Sequence, residues 1–233
     1  MTTSNMKTKL IAITKPVPDE KKLEFDSGPD TAEDLLVYTA RVSNPSNQLN
    51  LDTGPRLLRY CIKHGHWSVF EQASMTVEIK TSRAIAAQIL RHRSFCFQEF
   101  SQRYAVATES EPIELRSQDT KNRQGSGEIF DPEIPALQAK ASDVISKTID
   151  LSFLVYDQLI EAGVSKETAR FVLPLSTQTT LYMTGSVRSW IHYLQQRCSD
   201  HAQKEHRLIA LQIRDEIFKR EFPNTYEALY SSE

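Results

Sequence analysis

The residues best suited to chemistry fall in one stretch, Arg91-His92-Arg93-Ser94-Phe95-Cys96-Phe97-Gln98-Glu99-Phe100-Ser101-Gln102-Arg103-Tyr104. From Arg83 to Arg103 four arginines and a histidine stand against one acid, Glu99, in a chain whose formal net charge is -2. Local positive charge that the global balance does not call for points to an anionic ligand. Guanidinium forks grip phosphate, and the interleaved Phe95, Phe97, Phe100 and Tyr104 can stack on a flat ring. A nucleotide has both parts. A non-catalytic module for single-stranded RNA or nucleotides would use the same ingredients.

Other chemistry is thinner. His64-Gly65-His66-Trp67-Ser68-Val69-Phe70-Glu71 is a polar-aromatic turn whose histidines, with Cys61 and Glu71, do not complete a zinc spacing, so it reads as a binding turn and no metal is expected. The chain has no P-loop and no GxGxxG after a strand, and only seven glycines, which argues against a dinucleotide fold of the Rossmann type. Gly125-Ser126-Gly127, without a strand before it, reads as part of a mobile loop from Ser117 to Glu128. Ser101 has no adjacent base to activate it. The three cysteines, Cys61, Cys96 and Cys198, are widely spaced and read as thiols.

These side chains need elements to hold them. Lys9 to Val17 reads as a first strand, and Pro18 to Asp34, with seven acids against two lysines, as an exposed loop. Asp30 is the expected cap of a helix with Glu33 as its reciprocal partner, stopping before Ser43-Asn44-Pro45. Thr53-Gly54-Pro55 opens a second helix ended by Gly65. Alternation of Met75, Val77 and Ile79 with polar neighbours gives a half-buried strand, and Ser82 caps a helix that delivers Arg91-His92-Arg93 at its C-terminal end. Successive helical residues turn by about 100°, so these three side chains fan out to different partners.

Ile113 to Arg116 suggests a short strand. Pro132 to Ala162 reads as a long helix whose stripe of Leu137, Ala141, Val144, Thr148, Leu151, Val155 and Leu159 belongs to a core or a subunit contact. Thr177 to Met183 reads as a strand. The run from Ser186 to Glu221 carries Arg188 with His192 on one meridian and Arg197 with His201 on the opposite one. Such pairs are charged solvent faces in most helices; if they are functional, the site lies between subunits, or the run breaks near Asp200, which would cap a new helix with Gln203 as its partner.

At 233 residues, 39% hydrophobic and 25% charged, the chain reads as one α/β domain of the α+β type over residues 1–233, a mainly antiparallel sheet packed by helices with a long helical segment. The apolar runs are too short for a membrane span and Met1 to Lys9 has no signal-peptide pattern, so a cytoplasmic protein without membrane contact is expected. A pI of about 6.3 with no long basic run argues against a general nucleic-acid coat protein.

Arg91-His92-Arg93 followed by Ser101 resembles the RHR-x7-S signature of the flavin-dependent thymidylate synthases. The resemblance continues through Ala40-Arg41-Val42-Ser43, Gly65-His66 with Ser68 and Phe70-Glu71, Arg170 with Leu173-Pro174, Arg188, Arg197, and His201-Ala202-Gln203 with Glu205, and so covers most of the chain. It implies a homotetrameric enzyme with active sites shared between subunits, which methylates dUMP to dTMP. The carbon would come from 5,10-methylenetetrahydrofolate and the hydride from FAD reduced by NADPH, with no obligatory enzyme nucleophile.

By resemblance, Gln88, Arg91, Glu99, Ser101, Arg103, Arg170 and Arg197 hold dUMP. Ser43, His66, Ser68, Glu71, Arg91, His92, Arg93, Glu99, Ser186, His192 and His201 lie on the FAD side. Ser101, Arg197 and His66 are then the candidates for the chemistry: Ser101 to bind and polarise dUMP, Arg197 to stabilise charge developing on the base, and His66 to orient folate or move a proton. The chain departs from the family pattern at Cys96, often Ser, at Gln98, often Asn, and at Ser186 and His192, often Asn. Cys96 beside arginines leaves a thiol nucleophile as an alternative.

Overall fold

The computed structural model describes residues 6–17 and 28–231. In chain order these form β1 (Lys7–Ile13), α1 (Ala32–Ala40), α2 (Gly54–Lys63), β2 (Ser74–Ser82), α3 (Arg83–Ile89) and β3 (Cys96–Glu99). Two small hairpins follow, β4 (Arg116–Gln118) with β5 (Ser126–Ile129) and β6 (Glu133–Ile134) with β7 (Ala139–Lys140). The long α4 (Ala141–Glu161) and short α5 (Lys166–Ala169) lead to β8 (Gln178–Ser186) and α6 (Val187–Arg197). The chain then runs through α7 (Lys204–Gln212), a π-helical segment Ile213–Phe218, α8 (Lys219–Glu221) and α9 (Pro223–Tyr230).

Four strands make one antiparallel sheet in the order β1-β2-β8-β3, which agrees with the α+β expectation. The alternation read in β2 is the reason for its placement: Met75, Val77 and Ile79 are buried and face Gly185, Met183 and Leu181 across the ladder. Each such aliphatic side chain contributes about 1.5–3 kcal/mol by leaving water. Helix α6 lays Val187, Trp190, Ile191 and Leu194 on this layer, α3 adds Ile85 and Ile89, and the indole N–H of Trp190 donates to Met75 O at 3.2 Å. One hydrophobic cluster runs from α1 and α2 through the sheet to Phe218 and Phe222.

Several local expectations are corrected. The first strand ends at Ile13, and Val17 is exposed beyond it. Residues 18–27 of the expected acidic loop lie outside the described residues. Helix α1 is capped by Thr31 with Asp34 as reciprocal partner, in place of Asp30 and Glu33. Glu33 is instead buried, and its carboxylate accepts from the backbone and side chain of both Asn224 and Thr225 at 2.7–3.1 Å, which fastens α1 to α9. The strand expected at Ile113 starts at Arg116, and Ser117 to Glu128, expected as a mobile loop, is mostly the β4/β5 hairpin.

The long helix starts at Ala141, because Pro132 and Pro135 lie in the second hairpin and the 3-10 turn within it. Among its apolar residues Leu151 and Leu154 remain more than half exposed, so this chain alone does not bury the expected stripe. Other signals hold. Thr53-Gly54-Pro55 opens α2, Ser82 caps α3, and Gly65 and Gly163 end helices with φ of +69° and +87°. The C-terminal run does break after Arg197, but Asp200 does not cap α7: it pairs with Arg207, and Gln203 is the N-cap without a side-chain cap bond.

Candidate active site

The signature stretch is held by an aromatic anchor. Helix α3 ends in a turn in which Arg91 N donates to Gln88 O at 3.3 Å and His92 N to Ile89 O at 3.1 Å. Four residues on, Phe95 is buried with its ring 4.9 Å from Trp190 and 5.9 Å from Tyr193. It crosses β8 at Gly185, where a Cβ would lie 2.5 Å from Phe95 Cδ1, so only glycine permits the approach. Phe95 is therefore core, not the ligand-stacking ring expected of it, while Tyr104 is 86% exposed.

The three basic residues do fan out. His92 turns inward, and its Nε2 accepts from Arg197 Nε at 2.9 Å. Its ring meets Tyr193 edge-on at 5.0 Å, and the Tyr193 hydroxyl shares a hydrogen bond with His206 Nε2 at 3.1 Å. Burial, helped by the Arg197 charge, pushes the His92 pKa down to about 4, so the imidazole is neutral and free to accept. Arg91 and Arg93 are exposed and make no ion pair among the described residues.

Glu99 faces away from that triplet's partners and serves the sheet. Its carboxylate takes Arg83 Nη1 at 3.1 Å and the Thr179 hydroxyl at 3.0 Å, tying β3 to α3 and β8. Ser101 and Arg103 lie beyond it in a groove of about 660 Å³, lined also by Tyr104, Ile160, Gly163 and Glu167. There Arg103 Nη2 pairs with Glu167 at 2.9 Å, and Arg170 Nε donates to Glu167 O at 3.3 Å. Gln88 is bonded elsewhere, to Gln203. Of the residues assigned to dUMP, Ser101, Arg103 and Arg170 thus gather around Glu167, whereas Arg197 is joined to His92.

The residues assigned to the flavin side form a second patch. Arg188 Nη1 pairs with Glu71 at 2.8 Å, and the Ser186 hydroxyl, then Arg188, hold the Glu71 carboxyl below its ordinary range. Trp67 packs its ring 4.7 Å from His192 on α6, and His66 and Ser68 are exposed on the same turn. Ser186 also caps α6 through Ser189 N, which gives the departure from the family pattern a structural use. Ser43, in the turn after α1, and His201, in the α6–α7 break, are both exposed. His201 is not helical, so the shared meridian expected for it and Arg197 does not exist.

Sequence reasoning misses Glu167, Tyr193 and His206, and counts Arg83 without giving it a partner. The Lys166-Glu167 pair just before Arg170 is a readable signal, whereas Arg83 and His206 meet their partners only through the fold. Of the thiols, Cys61 is buried and Cys96 is exposed on β3. Burial pushes the Cys198 thiol up to about 11.

A neutral imidazole holding one arginine, two exposed arginines beside it, and a fourth arginine in an open groove suit a ligand with several anionic or polarisable groups. Known proteins are similar along most of the chain. Residues 27–224 match the family model described as thymidylate synthase complementing protein. A protein of Paramecium bursaria Chlorella virus 1 named a probable flavin-dependent thymidylate synthase is 50% identical over 225 residues, 96% of this chain and 99% of the relative. The flavin-dependent thymidylate synthase of a Synechocystis strain is 49% identical over 224 residues, again 96% and 99%. That of Thermus thermophilus is 33% identical over 221 residues, 93% of this chain and 78% of the relative. The chain belongs to the thymidylate synthase complementing protein family, that of the flavin-dependent thymidylate synthases.

Proposed function

We propose that this protein is a flavin-dependent thymidylate synthase that methylates dUMP to dTMP. 5,10-Methylenetetrahydrofolate is the carbon donor, NADPH the reductant, and the active sites of a homotetramer are shared between subunits. The observation that carries the reading is the link from the signature to α6: neutral His92 occupies Arg197 Nε and leaves both Nη groups for a substrate. Uracil C5 attacks from an activated, enolate-like ring whose oxygens carry negative charge, and a guanidinium fixed in advance stabilises that form without reorganising.

Ser101, Arg103 and Arg170 supply donors of the type a phosphate requires, and dUMP binding would exchange the Arg103–Glu167 pair for one with phosphate. The donor set also fits FAD: exposed Arg91 and Arg93 suit its pyrophosphate, and His66, Ser68 and His192 surround the Trp67 turn. When bound, that group supplies the hydride chemistry. Gln88 completes the dUMP side. Gathering these separate clusters is a task for several chains, and the exposed Leu151 and Leu154 of α4 support such contacts. Among the described residues no helix is long and apolar enough to cross a membrane.

The purified protein should be yellow, bleach with NADPH, and form dTMP from dUMP and the folate. A protein that cannot take up FAD, or that fails to rescue growth of a thymidine-requiring strain, would sink the reading. RNA affinity with a steep salt slope and no competition by dUMP would favour the binding-module alternative.

A further inference from the structure

Five side chains form a hydrogen-bonded line behind the dUMP-side glutamine. Gln88 Nε2 donates to Gln203 Oε1 at 2.5 Å, Gln203 Nε2 donates to Glu205 Oε2 at 2.9 Å, and Arg116 Nη2 donates to Glu205 Oε1 at 2.6 Å. Arg116, with 12% of its side chain exposed, also donates to Glu114 at 3.0 Å, and Glu114 takes Lys204 Nζ at 2.6 Å. The line joins α3, the N-cap and first turn of α7, and the segment entering β4. Arg116, Gln203 and Glu205 wall a cavity of about 250 Å³, so the contacts belong to a built recess and not to a loose surface.

The line has a direction that chemistry fixes. A carboxylate paired with arginine accepts hydrogen bonds and cannot donate them. Glu205 must therefore receive the N–H of Gln203, and Gln203 must turn its carbonyl oxygen towards Gln88. Gln88 in turn must give an N–H to that oxygen, which leaves its own Oε1 and second N–H for a ligand. Without the anchor, either amide could flip by 180° at little cost.

We infer that Gln203 is a positioning residue for dUMP: anchored by Glu205 and Arg116, it holds the Gln88 amide in one of its two orientations. This rests on the assignment of Gln88 to dUMP in the proposed function. It also gives a use to Gln203 and Glu205, which carry part of the family resemblance but have no part in the chemistry proposed for the site. Freeing one side chain that binding must then immobilise weakens binding by about five- to tenfold.

The test uses the FAD-loaded enzyme, with dUMP affinity measured by titration calorimetry beside steady-state KM and kcat. Gln203→Leu should raise the Kd and KM for dUMP about five- to tenfold. It should leave kcat within about twofold and the flavin content and thermal midpoint unchanged, because binding is lost before the chemical step. Glu205→Gln, which can donate as well as accept, should raise the Kd and KM for dUMP by about half as much, with a lower thermal midpoint because its ion pair with Arg116 is lost. In a Gln88→Ala background Gln203→Leu should add nothing, since it acts through Gln88.

If Gln88→Ala weakens dUMP but Gln203→Leu does not, or if the two effects add, the relay is overturned and the proposed function stands. If Gln88→Ala leaves dUMP affinity unchanged, the assignment of Gln88 fails and the relay fails with it. Should Gln203→Leu not fold, Gln203→Met and Glu205→Gln give the same readouts, and unchanged dUMP affinity in both overturns the relay.

Discussion

The two ends of the arginine-rich stretch are built in opposite ways. At its start, His92 is turned into the protein, held down to about 4 in pKa by burial and Arg197, and packed against Tyr193. At its end, Arg103 is two-thirds exposed and paired with Glu167 in an open groove. A half-buried neutral-to-cation hydrogen bond is held in place before any ligand arrives, whereas an exposed ion pair contributes little and gives way to a better anion. The first end suits a group that must be in place before the reaction; the second suits capture of a phosphate that comes and goes.

Arg197→Ala should do the largest damage, a fall in dUMP turnover of about a thousandfold with FAD still bound. Arg197→Lys should not rescue it, since lysine has no Nε to give His92 while keeping a fork free. Turnover within tenfold of normal in either variant would break the contrast.

His92→Phe should lower kcat by about ten- to a hundredfold while FAD affinity changes less, if the imidazole acts through Arg197. A loss confined to FAD affinity would return His92 to the flavin side and count against the link. The same end should carry a pH signature. Burial and Arg197 hold the folded His92 near 4, and burial holds His206 near 3, against an ordinary 6.5. As pH falls the unfolded chain therefore binds protons first at these two histidines, so their contribution to stability is complete above about 6.5 and is lost progressively on the way down to about 3. A histidine NMR titration placing His92 near 6.5 would contradict this.

Arg103→Ala should raise the KM for dUMP about tenfold and leave kcat within about threefold. A kcat loss as large as that of Arg197→Ala would make the two ends equivalent. The smallest effect is expected between them: Cys96→Ser should keep activity within about twofold, because the thiol is exposed on an edge strand and no base among the described residues is bonded to it. Activity that disappears with the sulfur would restore a thiol nucleophile.

How much of this is legible in the sequence depends on sequence distance. The β2 alternation, the Ser82 cap and the Gly65 and Gly163 stops are local, and local chemistry decides them. The signature and its family are readable because the Arg and Ser spacing is contiguous. The pairing of His92 with Arg197 spans 105 residues and needs the fold. Phe95 misleads because an aromatic among arginines looks like a stacking platform until Gly185 opens room for it in the core. Asp30 with Glu33 has the spacing of a capping box, but Thr31 with Asp34 makes an equivalent one a residue later, and Glu33 has a distant partner that no local rule reveals.

That distant partner also sets an order on biosynthesis. Glu33 and Thr225 are 192 residues apart, so α1 leaves the ribosome long before the groups that receive its buried carboxylate exist. Until then, closing the α1 end over the core must either bury an unpaired Glu33 carboxylate or protonate it, since burial raises its pKa. Once α9 is made, its donors remove that cost, so closure is favoured from then on. Ribosome-bound chains whose emerged part ends at Phe222 should be protease-sensitive around α1, and chains carried on a C-terminal linker long enough to release α9 from the exit tunnel should be protected; protection of the shorter chains would show that closure comes earlier.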